Sequence, residues 1–214
     1  MLKLRLATAK KLLFLGAHSD DIEIGCGGTI LELVGKNSEL EIVWIVFSAE
    51  GKRRQEARAS ARLFLKCAGR AKVIVHNFKG SFFPVQAEAI KQSFEKLKGS
   101  FNPDLVFTHH RDDRHQDHRL LSDLTWNTFR DHLILEYEVP KYDGDLGNPN
   151  LFLPLDEAVC LRKVQHLCQT FVTQRNKHWF SEDAFLALMR LRGIECASKY
   201  AEAFHCRKLV CGRS

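Results

Sequence analysis

Several things are missing from this sequence, and each absence narrows the reading. No window in the 214 residues approaches ~18 uninterrupted apolar residues, which excludes a transmembrane helix. Met1 to Lys11 alternates basic and apolar residues, with no apolar stretch ahead of a small-residue cleavage site. No export signal is therefore read, and a cytoplasmic location is expected. The seven cysteines include no C-x-x-C pair, which excludes zinc-ribbon and thioredoxin-type sites. In a chain without an export signal they read as reduced, mostly buried thiols. No Gly-Lys-Ser/Thr follows a glycine-rich turn, so a P-loop is excluded, and no Gly-x-Ser-x-Gly elbow marks a serine hydrolase. With five prolines, no Pro/Ser linker, no repeat and no low-complexity tract, nothing divides the chain. A single domain over 1–214 is expected, with a sheet core in 1–140 and a loop plus helical extension in 141–214.

What is present is ordinary globular composition, 45% hydrophobic and 27% charged. The length suffices to bury a core without disulfide or metal staples. The first two-thirds alternates apolar runs with amphipathic stretches. Strands are expected at Leu12 to Leu15, Leu40 to Phe47, Lys72 to Phe78, Asp104 to Thr108 and Leu133 to Val139. Helices are expected at Gly25 to Lys36, Arg53 to Cys67, Ala87 to Leu97 and Arg119 to Phe129. Continuous apolar strands separated by helices indicate an α/β fold, a Rossmann-like, doubly wound, mostly parallel sheet. From Lys141 to Leu155 the chain is rich in Gly, Pro, Asn and Asp and reads as a long loop. Asp156 to Phe171 and Ser181 to Ala203 read as the C-terminal helical extension.

Doubly wound sheets bind ligands beyond the carboxyl ends of their strands. Two unusually polar segments fall there: Gly16-Ala17-His18-Ser19-Asp20-Asp21 after the first strand, and His115-Gln116-Asp117-His118 after the fourth. If both strands are central, imidazoles and carboxylates meet in one crevice. That is the ligand set of a catalytic zinc, whose open coordination position holds a water that ionises near neutral pH. A free carboxylate beside it takes the proton, and a further His stabilises an oxyanion. The Gly25-Cys26-Gly27-Gly28 run comes too late for a dinucleotide loop, and Asp20 and Asp21 would repel a pyrophosphate. It reads instead as close packing of backbone at a helix start.

Gly16 to Thr29 resembles the first motif of the PIG-L/LmbE-like zinc-dependent N-deacetylases, and Asp113 to Arg119 resembles their second. Arg53 to Glu56 is similar to the family's Arg-x-x-Glu helix, and Arg192-Gly193 with Tyr200 to Phe204 to its C-terminal segment. By position, the resemblance implies metal ligands at His18, Asp21 and His118, and a general base at Asp20. It implies a cationic, oxyanion-stabilising His115 held by Asp117, and a substrate contact at Arg53. The implied cofactor is Zn2+, with Fe2+ the other ion these ligands suit. The implied reaction removes an acetyl group from an N-acetylglucosaminyl-type sugar on a small molecule, lipid or polysaccharide. Ser19 and Gln116 stand where the family usually has proline, which predicts looser turns. The segment Lys79 to Pro84 lacks the acidic residue that many relatives use for sugar hydroxyls.

The net charge of +6 points weakly to an anionic substrate, such as a nucleotide-linked, phosphorylated or lipid-linked amino sugar, with no nucleic acid expected as partner. A homo-oligomer stays open. Phe82, Phe83 and Trp179 are candidates to stack on a sugar face, against core packing as the plainer role. His109 and His110 read as strand-end residues, and His178 and His205 have no evident partner. Two other classes remain alternatives: a metal-dependent hydrolase of another amide or a phosphoester, and a non-catalytic binding module.

Overall fold

A computed structural model describes residues 8–210; most of the N-terminal segment inspected for an export signal, Met1 to Ala7, lies outside them. The strands are β1 (Lys11–His18), β2 (Glu41–Ser48), β3 (Arg70–Val75), β4 (Leu105–His109), β5 (Leu133–Tyr137), β6 (Leu151–Leu155) and β7 (Tyr200–His205). The longer helices are α1 (Asp21–Lys36), α2 (Gly51–Phe64), α3 (Ala87–Ser100), α4 (Gln116–Thr128), α5 (Glu157–Thr170) and α6 (Glu182–Glu195). The sheet order is β3-β2-β1-β4-β5-β7-β6. Strands β1 to β5 pair in parallel, and β7 pairs antiparallel with both β5 and β6.

Apolar strands are needed because both faces of the sheet are covered. Alternate residues of β1 serve opposite layers. Leu12 and Phe14 join Trp44, Phe64, Phe107 and Phe185 on the face that carries α1, α2, α5 and α6. Leu13, Leu15 and Ala17 join Phe47, Phe94 and Leu121 on the face that carries α3 and α4. The late glycines of the first motif are packing residues, as read. A Cβ at Gly25 would stand 2.1 Å from the Tyr137 ring, and one at Gly28 would stand 2.5 Å from Leu155.

The doubly wound, mostly parallel sheet is present, but the C-terminal segment is not purely helical. Leu151–Leu155 and Tyr200–His205 add two strands to the sheet. The helix expected to run from Ser181 to Ala203 ends at Glu195, where Gly193 meets the returning chain closely enough that a Cβ would lie 2.6 Å from the Lys199 carbonyl. Pro154 fits β6 because that strand is the sheet edge, where a missing N–H is tolerated.

Helix α1 starts at Asp21, earlier than the expected Gly25, and is bent at Cys26 (φ −143°, ψ 20°). The bend opens two N–H groups, Gly28 and Thr29, which donate to the Glu202 carboxylate at 2.8 and 2.6 Å. Lys163 Nζ donates to Ile24 O at 2.6 Å and to Glu202 at 2.7 Å. A buried ion pair thus closes both sides of the break.

Candidate active site

β1 and β4 are neighbours, and the helices that follow them, α1 and α4, pack on opposite faces of the sheet. That divergence opens a crevice at the strands' carboxyl ends. His18 closes β1, Asp21 opens α1, His115 caps α4, and Asp117 and His118 sit in the first turn of α4. The two motifs expected to meet do meet.

Three donor atoms converge. His18 Nδ1 lies 3.1 Å from His118 Nε2 and 3.3 Å from Asp21 Oδ2, and His118 Nε2 lies 3.4 Å from Asp21 Oδ2. The far nitrogen of each ring is committed elsewhere. His18 Nε2 donates to Asp117 Oδ2 at 3.1 Å, and His118 Nδ1 donates to Asp113 Oδ2 at 2.8 Å. With those protons assigned by their acceptors, His18 Nδ1 and His118 Nε2 present lone pairs to each other and to a carboxylate. Such an arrangement repels itself unless positive charge, a proton or a metal ion, lies between. A tetrahedral ion with bonds of about 2.0–2.1 Å separates its ligands by roughly 3.3 Å, so these residues fit a metal. Carboxylates behind both imidazoles are the usual support of such ligands.

Two neighbouring histidines also belong to triplets close enough to hold an ion, one with His18, His115 and His118, the other with Asp21, His109 and His118. Existing contacts engage both neighbours. His109 Nε2 lies 3.0 Å from the Ala17 N and 3.2 Å from Asp21 Oδ2, and its ring stacks on His118 with centroids 3.8 Å apart. His115 Nδ1 accepts the Asp117 N–H at 3.2 Å, which leaves the proton of the neutral ring on Nε2.

The electrostatics agree. Burial resists ionisation of Asp21, but His118 and His18 outweigh it and hold the carboxyl well below its usual range. Burial also opposes charge on His18, yet Asp21 and Asp117 push it up to about 10. The nest attracts positive charge. Burial, aided by the charges of His118 and His18, pushes His115 down to about 4.

Asp20 differs from its neighbours. Burial raises its pKa, against the pull of Arg53. Its Oδ1 accepts from Arg53 Nη2 at 2.7 Å, while its buried Oδ2 has no partner. Arg53 Nε also donates to Ser19 Oγ at 2.8 Å, so the arginine is anchored beside Asp20 with its side chain 37% exposed.

Two expectations are corrected. Asp117 does not hold His115: its carboxylate takes His18 Nε2 and the N–H groups of Ser81 and Phe83, at 2.6 and 3.0 Å. Burial, with the Asp117 N–H on Nδ1, accordingly favours the neutral form of His115 over the expected cationic one. The turns that lack proline are held by side-chain contacts. Ser19 is fully buried on Arg53, and Gln116 Nε2 donates to Ser81 O at 3.0 Å, tying α4 to the 79–83 loop. Of the aromatic candidates, Phe83 is core and Trp179 packs against the core, while Phe82 is 46% exposed beneath Lys79. His205 stacks on His110 at 3.6 Å, and His178 is exposed. Asp113, His109 and Lys141 have places at the site that the sequence reading did not assign. Lys141 Nζ reaches Asp113 at 2.9 Å.

No helix among the described residues is long and apolar enough to cross a membrane. In N,N'-diacetylchitobiose deacetylase of Pyrococcus horikoshii the same fold recurs, with a TM-score of 0.69 at 20% identity over 94% of this chain and 84% of that one. It recurs also in GalB, the 4-carboxy-2-hydroxymuconate hydratase of Pseudomonas putida, with a TM-score of 0.73 at 16% identity over 96% and 99% of the two chains. Likeness at such identity shows the fold alone, and a fold that carries a deacetylase and a hydratase does not choose the reaction. Sequence is more telling. The uncharacterized deacetylase YaiS of Escherichia coli K12 is 31% identical over 142 residues, 61% of this chain and 75% of that protein. A family model described as PIG-L, GlcNAc-PI de-N-acetylase, matches residues 13–129, which run from β1 through α4 and include both halves of the crevice. That match spans more than half of the chain, and the protein belongs to the PIG-L deacetylase family.

Proposed function

We propose that this protein is a one-metal amide hydrolase that removes the acetyl group from an acetamido sugar of the N-acetylglucosaminyl type. The observation that carries the reading is the convergence of His18 Nδ1, Asp21 Oδ2 and His118 Nε2 at 3.1–3.4 Å, beside a buried carboxylate oxygen with no partner. His18, Asp21 and His118 would hold the ion. Zinc suits this ligand set, and Fe2+ is the competing ion. When bound, such an ion supplies a Lewis acid and makes a water at the open position acidic.

The remaining work falls to the protein. Asp20 Oδ2 takes a proton from the attacking water, whose oxygen bonds to the acetyl carbonyl carbon. Arg53 fixes Asp20 through Oδ1, so the free oxygen is aimed without a loss of order at the moment of reaction. His115, neutral with its proton on Nε2, donates to the carbonyl oxygen as negative charge develops there. Asp20 then delivers the proton to the sugar nitrogen as the C–N bond breaks, giving acetate and a free amine. Arg53, partly exposed, also offers a cation to the substrate. A phosphoester substrate is less favoured, because the candidate triplets share His118 and form one nest, whereas paired ions are common in phosphoesterases.

The test is acetate release from a panel of N-acetylglucosamine derivatives, neutral and phosphorylated, on zinc-loaded and iron-loaded protein. Release that chelator abolishes and metal restores is expected. Metal-loaded protein that cleaves none of these amides yet adds water to an unsaturated acid, or hydrolyses a phosphoester, would overturn the assignment.

A further inference from the structure

The connection between β5 and β6 approaches the crevice at one point. Lys141 Nζ lies 2.9 Å from Asp113 Oδ2 and 2.6 Å from Asp145 Oδ2, and its side chain is only 10% exposed. Asp113 Oδ2 is the same oxygen that accepts the His118 Nδ1–H at 2.8 Å. Asp145 Oδ2 also accepts the Arg114 N–H at 2.6 Å, one residue beyond Asp113. The loop therefore grips both the carboxylate and the backbone behind His118. Its far side is anchored independently, by Arg192 Nη2 to Gly147 O at 3.1 Å and by Asn150 to the backbone of Cys206 at 2.8 and 3.1 Å.

A poorly hydrated ammonium needs carboxylate partners to be tolerated. Here one partner belongs to the loop and the other orients His118. Lys141 can satisfy both only while the loop is seated. Asp113, for its part, meets His118, Lys141 and the His115 N–H, the last at 2.8 Å. Without Lys141 it is free to turn away from His118.

We propose that Lys141 is a positioning residue for the metal centre, and that Asp145 makes its action depend on the seating of the 141–147 loop. The inference rests on the metal site proposed above. The seated loop fixes Asp113, and Asp113 fixes the direction of His118 Nε2. Coupling between two equilibria is reciprocal, so an ion in the nest holds the loop down to the same degree that the seated loop favours the ion.

The experiment uses the full chain stripped by chelator, with zinc alone as the probe. Affinity is read by chelator competition, and loop seating by amide hydrogen exchange over 141–147. Wild-type protein is expected to bind zinc and to exchange these amides more slowly once it has. In Lys141→Met, affinity should fall about 10-fold or more, as for loss of a partner behind a ligand, and zinc should no longer slow exchange in the loop. Lys141→Arg should recover most of both effects. Asp145→Asn keeps the Lys141–Asp113 contact and should lose mainly the exchange response. A lysine that only supports the fold would lower thermal stability with and without zinc alike and move neither readout.

Folded Lys141→Met with wild-type zinc affinity and the wild-type exchange response overturns the inference and leaves the metal site standing. Should that variant not fold, an undiminished exchange response in Asp145→Asn overturns it equally. Wild-type protein that binds no zinc overturns the metal site and this inference together.

Discussion

The carboxylate of Asp117 receives His18 Nε2–H at 3.1 Å, while only its backbone N–H reaches the ring of His115. Asp113 stands in the same relation to His118. One short segment, Asp113 to His118, thereby supplies a proposed ligand, the carboxylate behind it and the carboxylate behind the other histidine.

Asp117→Asn should therefore act on the metal. Three donors meet at this carboxylate, from His18, Ser81 and Phe83, and an amide offers them one oxygen in place of two. Affinity for zinc should drop by about 10–100-fold, the usual cost of losing such a partner. Chelator competition on folded protein measures it, and unchanged affinity would contradict the placement of Asp117 behind His18.

Asp20→Asn removes a carboxylate oxygen that is buried beside the nest without a partner. Turnover should fall by roughly 10²–10⁴-fold, the range of a lost general base, while metal stoichiometry stays at the wild-type level. Parallel kcat and metal analyses separate this outcome from a damaged ligand nest, which would lose both.

Arg53→Met should shift the pH profile. Burial raises the pKa of Asp20 and the Arg53 guanidinium opposes that rise, so losing the guanidinium raises it further. A base works only when ionised, so the acid limb of kcat/KM should move to higher pH in the variant. A limb that stays in place or moves to lower pH would show that Asp20 is not the group being titrated.

Glu202→Ala tests the break in α1. It leaves the Lys163 ammonium buried without its carboxylate and takes the acceptor from the Gly28 and Thr29 N–H groups. Removing one partner of a buried pair costs about 3–5 kcal/mol. Urea unfolding measures the loss, and a cost below about 1 kcal/mol, as at exposed pairs, would show that the bend holds without it.

The central strands were readable because β1, β2 and β4 are nearly continuous apolar runs, as burial on both faces demands. The two C-terminal strands were not. Leu151–Leu155 contains Pro154 and follows a Gly/Asn-rich loop, and Tyr200–His205 is too rich in Ala and Glu to be told from the end of a helix. At the site, the meeting of His18, Asp21 and His118 was legible from two strand-end motifs and their resemblance to a family. Which carboxylate serves which ring was not. That depends on the 79–83 loop, whose Ser81 and Phe83 N–H groups aim Asp117 away from His115. The link of Lys141 to the site carries no local signal, since Asp113 lies 28 positions earlier in the chain.

Glu202 caps amides of Gly28 and Thr29 from a position 173–174 residues later, on a strand inserted between β5 and β6. The first motif is thus synthesised well before β7 and is completed only when that strand arrives. Until β7 emerges, the bend behind Asp21 has open amides and the Lys163 amine has no carboxylate. On the metal site proposed here, chains shortened before Tyr200 should be poor at retaining zinc even though His18, Asp21 and His118 are all present.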